Sequence, residues 1–427
     1  MRLCRTSLSL SVLFLSIQTG LIAAELPSVS PEEVGLDPAR LERITEVFQK
    51  YVEKRELPGT VALVARHGKV AYLKTLGSRD LKTDTPMTAD TIFRIYSMTK
   101  PITTVGAMIL YEEGRYQLTD PVSKYIPELK DLKVLVGDAS GGAEFVEPNR
   151  PVTIQDLMRH TSGFTYGVFG DTAVDRMYRE AKLLSEDVPL STFVSRLSGI
   201  PLQFQPGTHW HYGVSVDVLG YLIEVLSGQT LDRFLDERVF VPLGMTDTSF
   251  QVPPEKIARF ATCYGLDRDH PLPDGRLPLT AIDEPATSDY AKPRQFLSGG
   301  GGLVSTIRDY ARFLQMLLNG GELDGHRILG RKTVAFMTRN HLPQQILEQE
   351  SLRGSGFGLG FAVVLDPPAA GVLSSRGEYN WGGYASTEFW VDPREDLFAI
   401  LMTQLIPSGT YPLKNDFKVA LYQSLMK

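Results

Sequence analysis

Cysteine is almost absent from this chain of 427 residues, which contains only Cys4 and Cys263. Cys4 falls in a predicted leader peptide and is not placed as a lipidation cysteine at a cleavage site. The mature chain would therefore keep one thiol and could form no internal disulfide. Cys263 has no neighbour at a metal-binding spacing, so we expect a buried structural thiol. A chain of this length can bury enough apolar surface to fold without disulfides.

The chain also lacks several features that define other functional classes. It has no basic block and a formal net charge of -6, which argues against nucleic acid as a partner because phosphate binding needs clustered Lys and Arg. No HExxH zinc helix is present, and the serine-hydrolase pattern GxSxG is absent. The run SGGGGL at Ser298–Leu303 lacks the ending of a phosphate-binding loop. We interpret it as a turn before a helix that Thr306 opens, with Asp309 completing a capping box; a groove-lining strand edge is the alternative.

No apolar run is long enough to span a bilayer. The longest candidate, LSLSVLFLSI at residues 8–17, follows Arg2 and Arg5 and precedes small residues. A spanning helix needs about 20 apolar residues, so a secretory signal peptide is favoured over a membrane anchor. We expect cleavage after Ala24, which makes residues 1–24 the signal peptide. The protein is then exported, periplasmic or secreted, with no stable membrane span after cleavage.

Secondary structure can be predicted at both ends of the chain. Asp37 and Pro38 open a helix, and two β-type runs flank the turn residues His67 and Gly68. Near the other end, FGLGFAVVLD predicts strand structure from Gly356 onward. Two further strands are joined by a turn at Asp392-Pro393-Arg394-Glu395, and a final helix is expected over about 415–427.

These patterns predict an α+β fold. A two-stranded hairpin is marginal alone, so the simplest architecture is one antiparallel sheet built from both chain ends and flanked by helices. We expect residues 25–427 to form a single catalytic domain with a mostly helical subregion at approximately 110–295. Pockets favour boundaries between such parts, which places a groove where the helical region meets the sheet.

The stretch FRIYSMTKPITTVGAMILYEEG, which begins at Phe93, sets Ser97 three residues before Lys100. Residues three apart lie on one face of a helix. A plain cap and a surface charge would explain the pair, but so would a nucleophile beside its base. Lysine becomes a base when burial or nearby positive charge lowers its pKa, and the apolar helix that follows offers burial. Pro101 is compatible with this arrangement if the helix begins close to Ser97.

The histidines are weaker candidates. His209 and His211 lie two apart but have no third metal ligand nearby, whereas catalytic zinc sites usually have three protein ligands. His160, in MRHTSGF, could serve a serine only if the fold brought them together. Because Lys100 is a nearer base for Ser97, we interpret His160 as a structural loop residue.

Two further segments complete a pattern. HWHYGVSVDVLGYLIEVLSGQT puts Tyr212 just before an apolar helix, and EYNWGGYASTEFW puts Trp381-Gly382-Gly383 at the entry to a strand. With Ser-x-x-Lys first, this order resembles the serine β-lactamase and penicillin-binding protein superfamily. The sequence is most similar to family VIII carboxylesterases and class C β-lactamases, with supporting phrases LMRHTSGF, PLGMTDTSF and SGGGGLVSTIRDYARF. The resemblance runs from about Val34 to Gln404.

The resemblance implies a β-lactamase/DD-peptidase-like fold and a set of roles. Ser97 resembles the nucleophile, Lys100 its partner, and Tyr212 the tyrosine of Y-x-N. Trp381-Gly382-Gly383 occupies the place of the lactamase K-T-G. We expect backbone N–H groups of Ser97 and Tyr384 to hold the oxyanion, and we expect no metal and no organic cofactor. The partner is a small-molecule ester or related acyl substrate.

Two departures from the lactamase pattern concern specificity. Val214 stands where lactamases usually hold asparagine, and Trp381 stands where they usually hold lysine. Both changes remove polar groups suited to a β-lactam, so the interpretation is an exported serine esterase that forms an acyl-serine intermediate. The alternatives are a β-lactamase or DD-peptidase, an acyltransferase, and a non-enzymatic penicillin-binding sensor.

Overall fold

A computed structural model describes residues 25–137, 142 and 144–426. The predicted signal peptide lies outside the described residues. Cys263 is buried and free, and burial raises the pKa of its thiol to about 11. In the part of the chain that the structure describes, no helix is both long enough and apolar enough to cross a bilayer.

The elements alternate along the chain. The helices are α1 (Pro38–Leu41), α2 (Arg43–Glu53), α3 (Thr99–Glu112), α4 (Ile154–Met158), α5 (Ala173–Glu180), α6 (Leu190–Leu197), α7 (Ser215–Ser227), α8 (Leu231–Leu235), α9 (Val241–Leu243), α10 (Ile307–Leu318), α11 (Arg331–Met337), α12 (Gln344–Leu347), α13 (Pro367–Ala370) and α14 (Leu413–Tyr422). The strands are β1 (Gly59–Arg66), β2 (Lys69–Asp80), β3 (Thr85–Pro86), β4 (Phe93–Arg94), β5 (Val134–Val136), β6 (Glu144–Val146), β7 (Cys263–Leu266), β8 (Leu279–Asp283), β9 (Val304–Ser305), β10 (Glu322–Leu323), β11 (His326–Arg327), β12 (Ser355–Phe357), β13 (Ala362–Val364), β14 (Tyr379–Gly382), β15 (Glu388–Asp392) and β16 (Leu397–Met402).

Both ends of the chain build one antiparallel sheet, as the sequence predicts. Its strand order is β12-β13-β14-β15-β16-β1-β2-β3. The N-terminal strand β1 pairs with the C-terminal strand β16, with Val61 opposite Met402. The turn between β1 and β2 places His67 and Gly68 in the left-handed region, at φ values of 53° and 75°, which suits a tight hairpin turn.

Helices cover both faces of this sheet, because successive side chains of a strand point to opposite sides. On β1, Ala62 and Val64 face a core that includes side chains of α2 and α14. Val61 and Leu63 face the larger core, to which α3 and α10 contribute. Every residue of β1 is buried as a result.

Helix α3 lies at the centre of the larger core, with all of residues 99–110 buried. It begins at Thr99, so Pro101 falls in the first turn, where its missing N–H would have no intrahelical partner in any case. Gly106 allows close packing, since a Cβ there would lie 2.8 Å from Leu235 of α8 and 3.5 Å from Ile223 of α7. Between α3 and α10 the chain forms α4–α9 and the short hairpins β5–β6 and β7–β8.

Some local boundaries differ from the predictions. The strand structure expected from Gly356 is split into β12 and β13, because Gly360 turns the chain at a φ of 88°. The final helix ends at Tyr422. Thr306 caps α10 by accepting from the Asp309 N–H, but the Asp309 carboxylate accepts from the Asp247 N–H and the Thr248 hydroxyl, so the reciprocal half of the box is absent.

Candidate active site

Ser97 lies on a strained turn where the sheet meets the helical region. It belongs to a single 3₁₀ turn, Tyr96–Met98, that leads directly into α3. The backbone of Tyr96 has a φ of 40°, which lies in a region that residues other than glycine rarely occupy. Ser97 is partly exposed, whereas its neighbours Met98 and Thr99 are buried. Strain of this kind persists only where the surrounding structure enforces it, and it is common at functional sites.

The Lys100 side chain is 1% exposed and is held by three oxygen atoms. Its Nζ lies 3.2 Å from Ser97 Oγ, 2.8 Å from the Tyr166 hydroxyl and 2.6 Å from the Gly300 carbonyl oxygen. The carbonyl oxygen can only accept a hydrogen bond, whereas each of the two hydroxyl groups can donate or accept one. The geometry therefore suits a neutral amine that donates to Gly300 and accepts the Ser97 proton, as well as an ammonium that donates to all three oxygens.

Tyr212 makes the second contact with the serine. Its hydroxyl donates to Ser97 Oγ at 2.7 Å, and Lys100 Nζ lies 4.6 Å from the centre of its ring. Ser97 Oγ thus has two partners that can exchange protons. The structure thus brings Tyr212, which is distant in the sequence, to the neighbouring pair Ser97 and Lys100, as predicted.

Tyr166 is a part of the cluster that the sequence analysis missed. It accepts from Lys100, and its ring centre lies 5.3 Å from that of Tyr212. Burial, followed by the nearby Tyr212 and Asp217, raises the pKa of Tyr166 well above its usual value, so its hydroxyl stays protonated. The only sequence signal was its place six residues after His160, in the segment HTSGFTY.

The glycine run of residues 298–303 contributes to the site as well as forming a turn. Gly300 presents its carbonyl to Lys100 and donates its N–H to Asp217 Oδ1 at 3.0 Å; the Ser298 hydroxyl donates to the same oxygen at 2.5 Å. A Cβ at Gly300 would lie 2.5 Å from the Asp217 carboxylate, so glycine is required there. Burial raises the pKa of Asp217, an effect that the charge of Lys100 opposes.

The segment after β14 approaches the serine turn closely. A Cβ at Gly383 would lie 2.4 Å from the Ile95 carbonyl oxygen, so glycine permits this approach. The backbone N–H groups of Ser97 and Tyr384 donate to no acceptor among residues 25–137, 142 and 144–426. One N–H group in the serine turn and one directly after Gly383 are therefore without a protein acceptor.

Aromatic side chains pack around Tyr212. The ring centres of Trp381 and Trp210 lie 5.3 Å and 6.3 Å from that of Tyr212. Phe357 packs edge-on against Trp381 at 5.3 Å. Trp381 thus belongs to an apolar surface next to the serine.

His160 supports these rings. Its ring is fully buried 4.8 Å from the ring of Tyr212, and neither ring nitrogen has a hydrogen-bond partner within the described residues. Burial, and then the charge of Lys100, holds the pKa of His160 well below its usual value, so the imidazole is neutral. His209 and His211 both pack against Phe204. Among the residues placed by the structure, no three His, Cys, Asp or Glu side chains form a cluster suited to a metal ion.

Val214 is the N-cap residue of α7, two residues after Tyr212. Its side chain is fully buried in the larger core, and its N–H donates to the Thr165 carbonyl. It offers no side-chain polar atom to a substrate.

The chain is similar in sequence and fold to several known proteins. The sequence profile of the β-lactamase family matches residues 44–423. The chain is 33% identical to esterase EstB of Burkholderia gladioli, over 92% of this chain and 98% of that protein. It is 30% identical to a monacolin J acid methylbutanoyltransferase of Aspergillus terreus, over 84% of this chain and 89% of the enzyme. Its fold matches the solved structure of EstCE1, a hydrolase with promiscuous acyltransferase activity, with a TM-score of 0.76, 26% identity and coverage of 90% and 99% of the two chains.

Proposed function

The chain belongs to the β-lactamase family and is a serine hydrolase, and from this premise we propose that it is an exported esterase that cleaves carboxylic esters through an acyl-serine intermediate. The observation that carries the proposal is the position of Ser97 Oγ, which lies 2.7 Å from the Tyr212 hydroxyl and 3.2 Å from Lys100 Nζ. A serine hydroxyl is a weak nucleophile until an adjacent base takes its proton.

Acylation begins when Ser97 Oγ attacks the ester carbonyl carbon. Neutral Lys100 accepts the serine proton, and the Tyr212 hydroxyl, which also contacts Ser97 Oγ, helps to carry a proton to the leaving oxygen. As the tetrahedral intermediate collapses, the proton passes to the leaving alkoxide and the alcohol departs. Tyr166 and Gly300 hold the lysine amine in line with Ser97, which reduces the cost of aligning the groups.

The developing oxyanion is bound by the unoccupied N–H groups of Ser97 and Tyr384. Removal of one such donor in a serine hydrolase typically costs about 3 kcal/mol of barrier. Gly383 keeps the Tyr384 segment close enough to the serine turn to serve this purpose. Water then attacks the acyl-serine carbonyl and gives its proton to the Lys100–Tyr212 pair. The bond from the acyl carbon to Ser97 Oγ breaks, the proton passes to Ser97 Oγ, and the acid departs. These residues supply every proton transfer, so the proposed mechanism needs no cofactor.

The proposal includes the organisation and destination of the protein. Residues 1–24 act as a signal peptide and residues 25–427 as one catalytic domain. The segment before α1 meets the residues that follow α14, because the Asp37 N–H donates to the Ser424 carbonyl and the Met426 N–H to the Gly35 carbonyl. This contact between the two ends of the described chain supports a single domain.

Acyl transfer to an alcohol is the second candidate. The similarity to a methylbutanoyltransferase supports it, because replacing water with an alcohol changes only the last step. A β-lactamase or DD-peptidase activity has weaker support, since Trp381 provides an aromatic ring where a carboxylate-binding cation is wanted and the Val214 side chain is buried. A penicillin sensor would be acylated by a β-lactam but would not turn over esters.

A substrate panel tests the proposal through Trp381. The wild-type enzyme should hydrolyse p-nitrophenyl butyrate with a much higher kcat/KM than a chromogenic cephalosporin or a D-Ala-D-Ala peptide. Loss of a charged partner in a desolvated groove costs about 2–5 kcal/mol, or roughly 30- to several-thousand-fold in rate. Trp381→Lys should therefore raise cephalosporin hydrolysis and lower turnover of the apolar ester.

The matched control is Trp381→Phe, which keeps an aromatic wall without adding charge and should leave cephalosporin hydrolysis at the wild-type level. If the wild-type enzyme has equal kcat/KM values for the cephalosporin and the butyrate ester, the β-lactamase interpretation is favoured over the esterase interpretation. Acylation by the cephalosporin without ester turnover would instead support the sensor.

A further inference from the structure

Two exposed apolar side chains lie on the loop after Tyr166. Val168 is 66% exposed and Phe169 is 65% exposed. Isolated exposed apolar residues are ordinary on protein surfaces. These two are the only large apolar residues adjacent in sequence that are both exposed within the described ranges. Water contact with both is unfavourable, so a contact that covers them would stabilise the bound state.

The loop that carries these side chains is fixed in place. Arg179 of α5 donates to the carbonyl oxygens of Gly167 and Gly170, at 2.6 Å and 3.2 Å, and it forms an ion pair with Asp171. The Gly167 N–H donates to the Thr165 hydroxyl at 3.1 Å. Both ends of the short turn around Val168 and Phe169 are therefore held by hydrogen bonds, and the exposed pair is presented by a structured loop.

Phe169 continues the aromatic packing around Tyr212 toward solvent. Its ring centre lies 6.1 Å from that of Tyr166 in an edge-on arrangement and 6.3 Å from that of Tyr212. We define the aromatic platform as the rings of Tyr166, Phe169 and Tyr212. The hydroxyl of Tyr212 donates to Ser97 Oγ, so one member of the platform contacts the proposed nucleophile.

The chemistry of the site determines which part of an ester meets the platform. The leaving alkoxide must lie beside the group that protonates it, and in the proposed mechanism that group is the Tyr212 hydroxyl with Lys100 behind it. A ring packed against Tyr212 therefore lies on the alcohol side of the scissile bond.

We propose that Phe169 determines specificity for the alcohol part of the substrate, and that the platform selects esters of apolar, preferably aromatic, alcohols. The proposal rests on the proposed esterase function and adds the substrate class. Aromatic rings gain from both burial and ring-to-ring contact when they pack on such a surface.

The platform should also select among alcohols that attack the acyl-enzyme, because this step is the reverse of acylation with a new alcohol. The alcohol oxygen bonds to the acyl carbon while the bond from that carbon to Ser97 Oγ breaks. The alcohol proton passes to the Lys100–Tyr212 pair and then to Ser97 Oγ. An apolar alcohol held against Phe169 should therefore capture the acyl group more often than methanol does.

The test uses p-nitrophenyl butyrate as a common acyl donor and equal concentrations of benzyl alcohol and methanol as competing acceptors. The ratio of benzyl butyrate to methyl butyrate, measured by gas chromatography, reports on the alcohol site alone, because both products come from one acyl-enzyme. We expect a ratio of about ten for the wild-type enzyme, and we expect Phe169→Ala to remove most of that preference. Phe169→Leu, which keeps an apolar side chain, should retain part of it.

Phe145→Ala is the control, because Phe145 is exposed on β6 and makes no ring contact with the platform. It should leave the product ratio at the wild-type value. If the wild-type enzyme forms only butyric acid, the ratio of kcat/KM for benzyl butyrate to that for methyl butyrate replaces the product ratio, with the same expected changes. Unchanged ratios in Phe169→Ala would overturn the platform while leaving the esterase function intact, whereas the absence of any butyryl-Ser97 and any ester turnover would overturn both.

Discussion

Substitution of Ser97 with alanine should abolish ester turnover, with kcat/KM falling by about 10⁴-fold or more, since loss of a serine nucleophile removes the acyl-enzyme route altogether. The hydroxyl is partly exposed, and the methyl group of alanine fits the same turn, so the fold should be unchanged. Hydrolysis of p-nitrophenyl butyrate by purified protein measures the loss. The circular dichroism spectrum and Tm check the fold.

A chemical label provides a second readout for the same residue. An activated phosphonate ester should modify the peptide that contains Ser97 in the wild-type enzyme, and mass spectrometry should find no modified peptide in Ser97→Ala. Ser195→Ala, on an exposed position of α6, is the matched control and should retain full activity and labelling. Retention of more than a few per cent of activity by pure Ser97→Ala would mean that another residue is the nucleophile.

Lys100 and Tyr212 should behave as one unit. Lys100→Met and Tyr212→Phe should each lower kcat by about 10²–10⁴-fold, the range over which a general base contributes. The double variant should be scarcely worse than either single variant, because each change already breaks the same proton path. Methionine is chosen for its similar volume, because Lys100 is buried and a shorter side chain would leave a cavity.

Tyr166→Phe separates proton transfer from support. Tyr166 contacts the lysine but makes no hydrogen bond with the serine, so loss of its hydroxyl should reduce kcat much less than Tyr212→Phe does. Multiplication of the two single effects in the Lys100–Tyr212 double variant would show that they act independently and would rule out a shared transfer. Equal losses in Tyr166→Phe and Tyr212→Phe would remove the special role of Tyr212.

The fold could be predicted well because its main signals are local. Strand periodicity and the His67–Gly68 turn predicted the hairpin, and apolar runs near the C-terminus predicted the strands that complete the sheet. Boundaries were less accurate, since they depend on backbone angles that neighbouring elements impose. Gly360, for example, divides one predicted strand into two by adopting a positive φ.

The candidate site could be predicted only in part, because only some of its residues are marked by local sequence spacing. Ser97 and Lys100 could be paired because three residues on a helix span a fixed distance, and Tyr212 entered through a family resemblance. Tyr166 and the Gly300 carbonyl could not be identified from periodicity, because tertiary packing alone brings them to Lys100. A backbone carbonyl carries no side-chain signal at all, and the glycine run around it predicted a turn, with a groove-lining strand edge as the alternative.

The pairing of β1 with β16 has a consequence for how activity is acquired during synthesis. A growing chain contains Ser97 and Lys100 early, but Tyr384 and the strand opposite β1 are among the last parts to be made. Contacts between such distant parts of a sequence form slowly, because the entropic cost of closing a long loop must be met before the contacts can stabilise the fold. The nascent protein therefore cannot complete the proposed oxyanion-binding pair, and the proposed esterase activity should arise only in a single late step, when the finished C-terminal strands close the sheet.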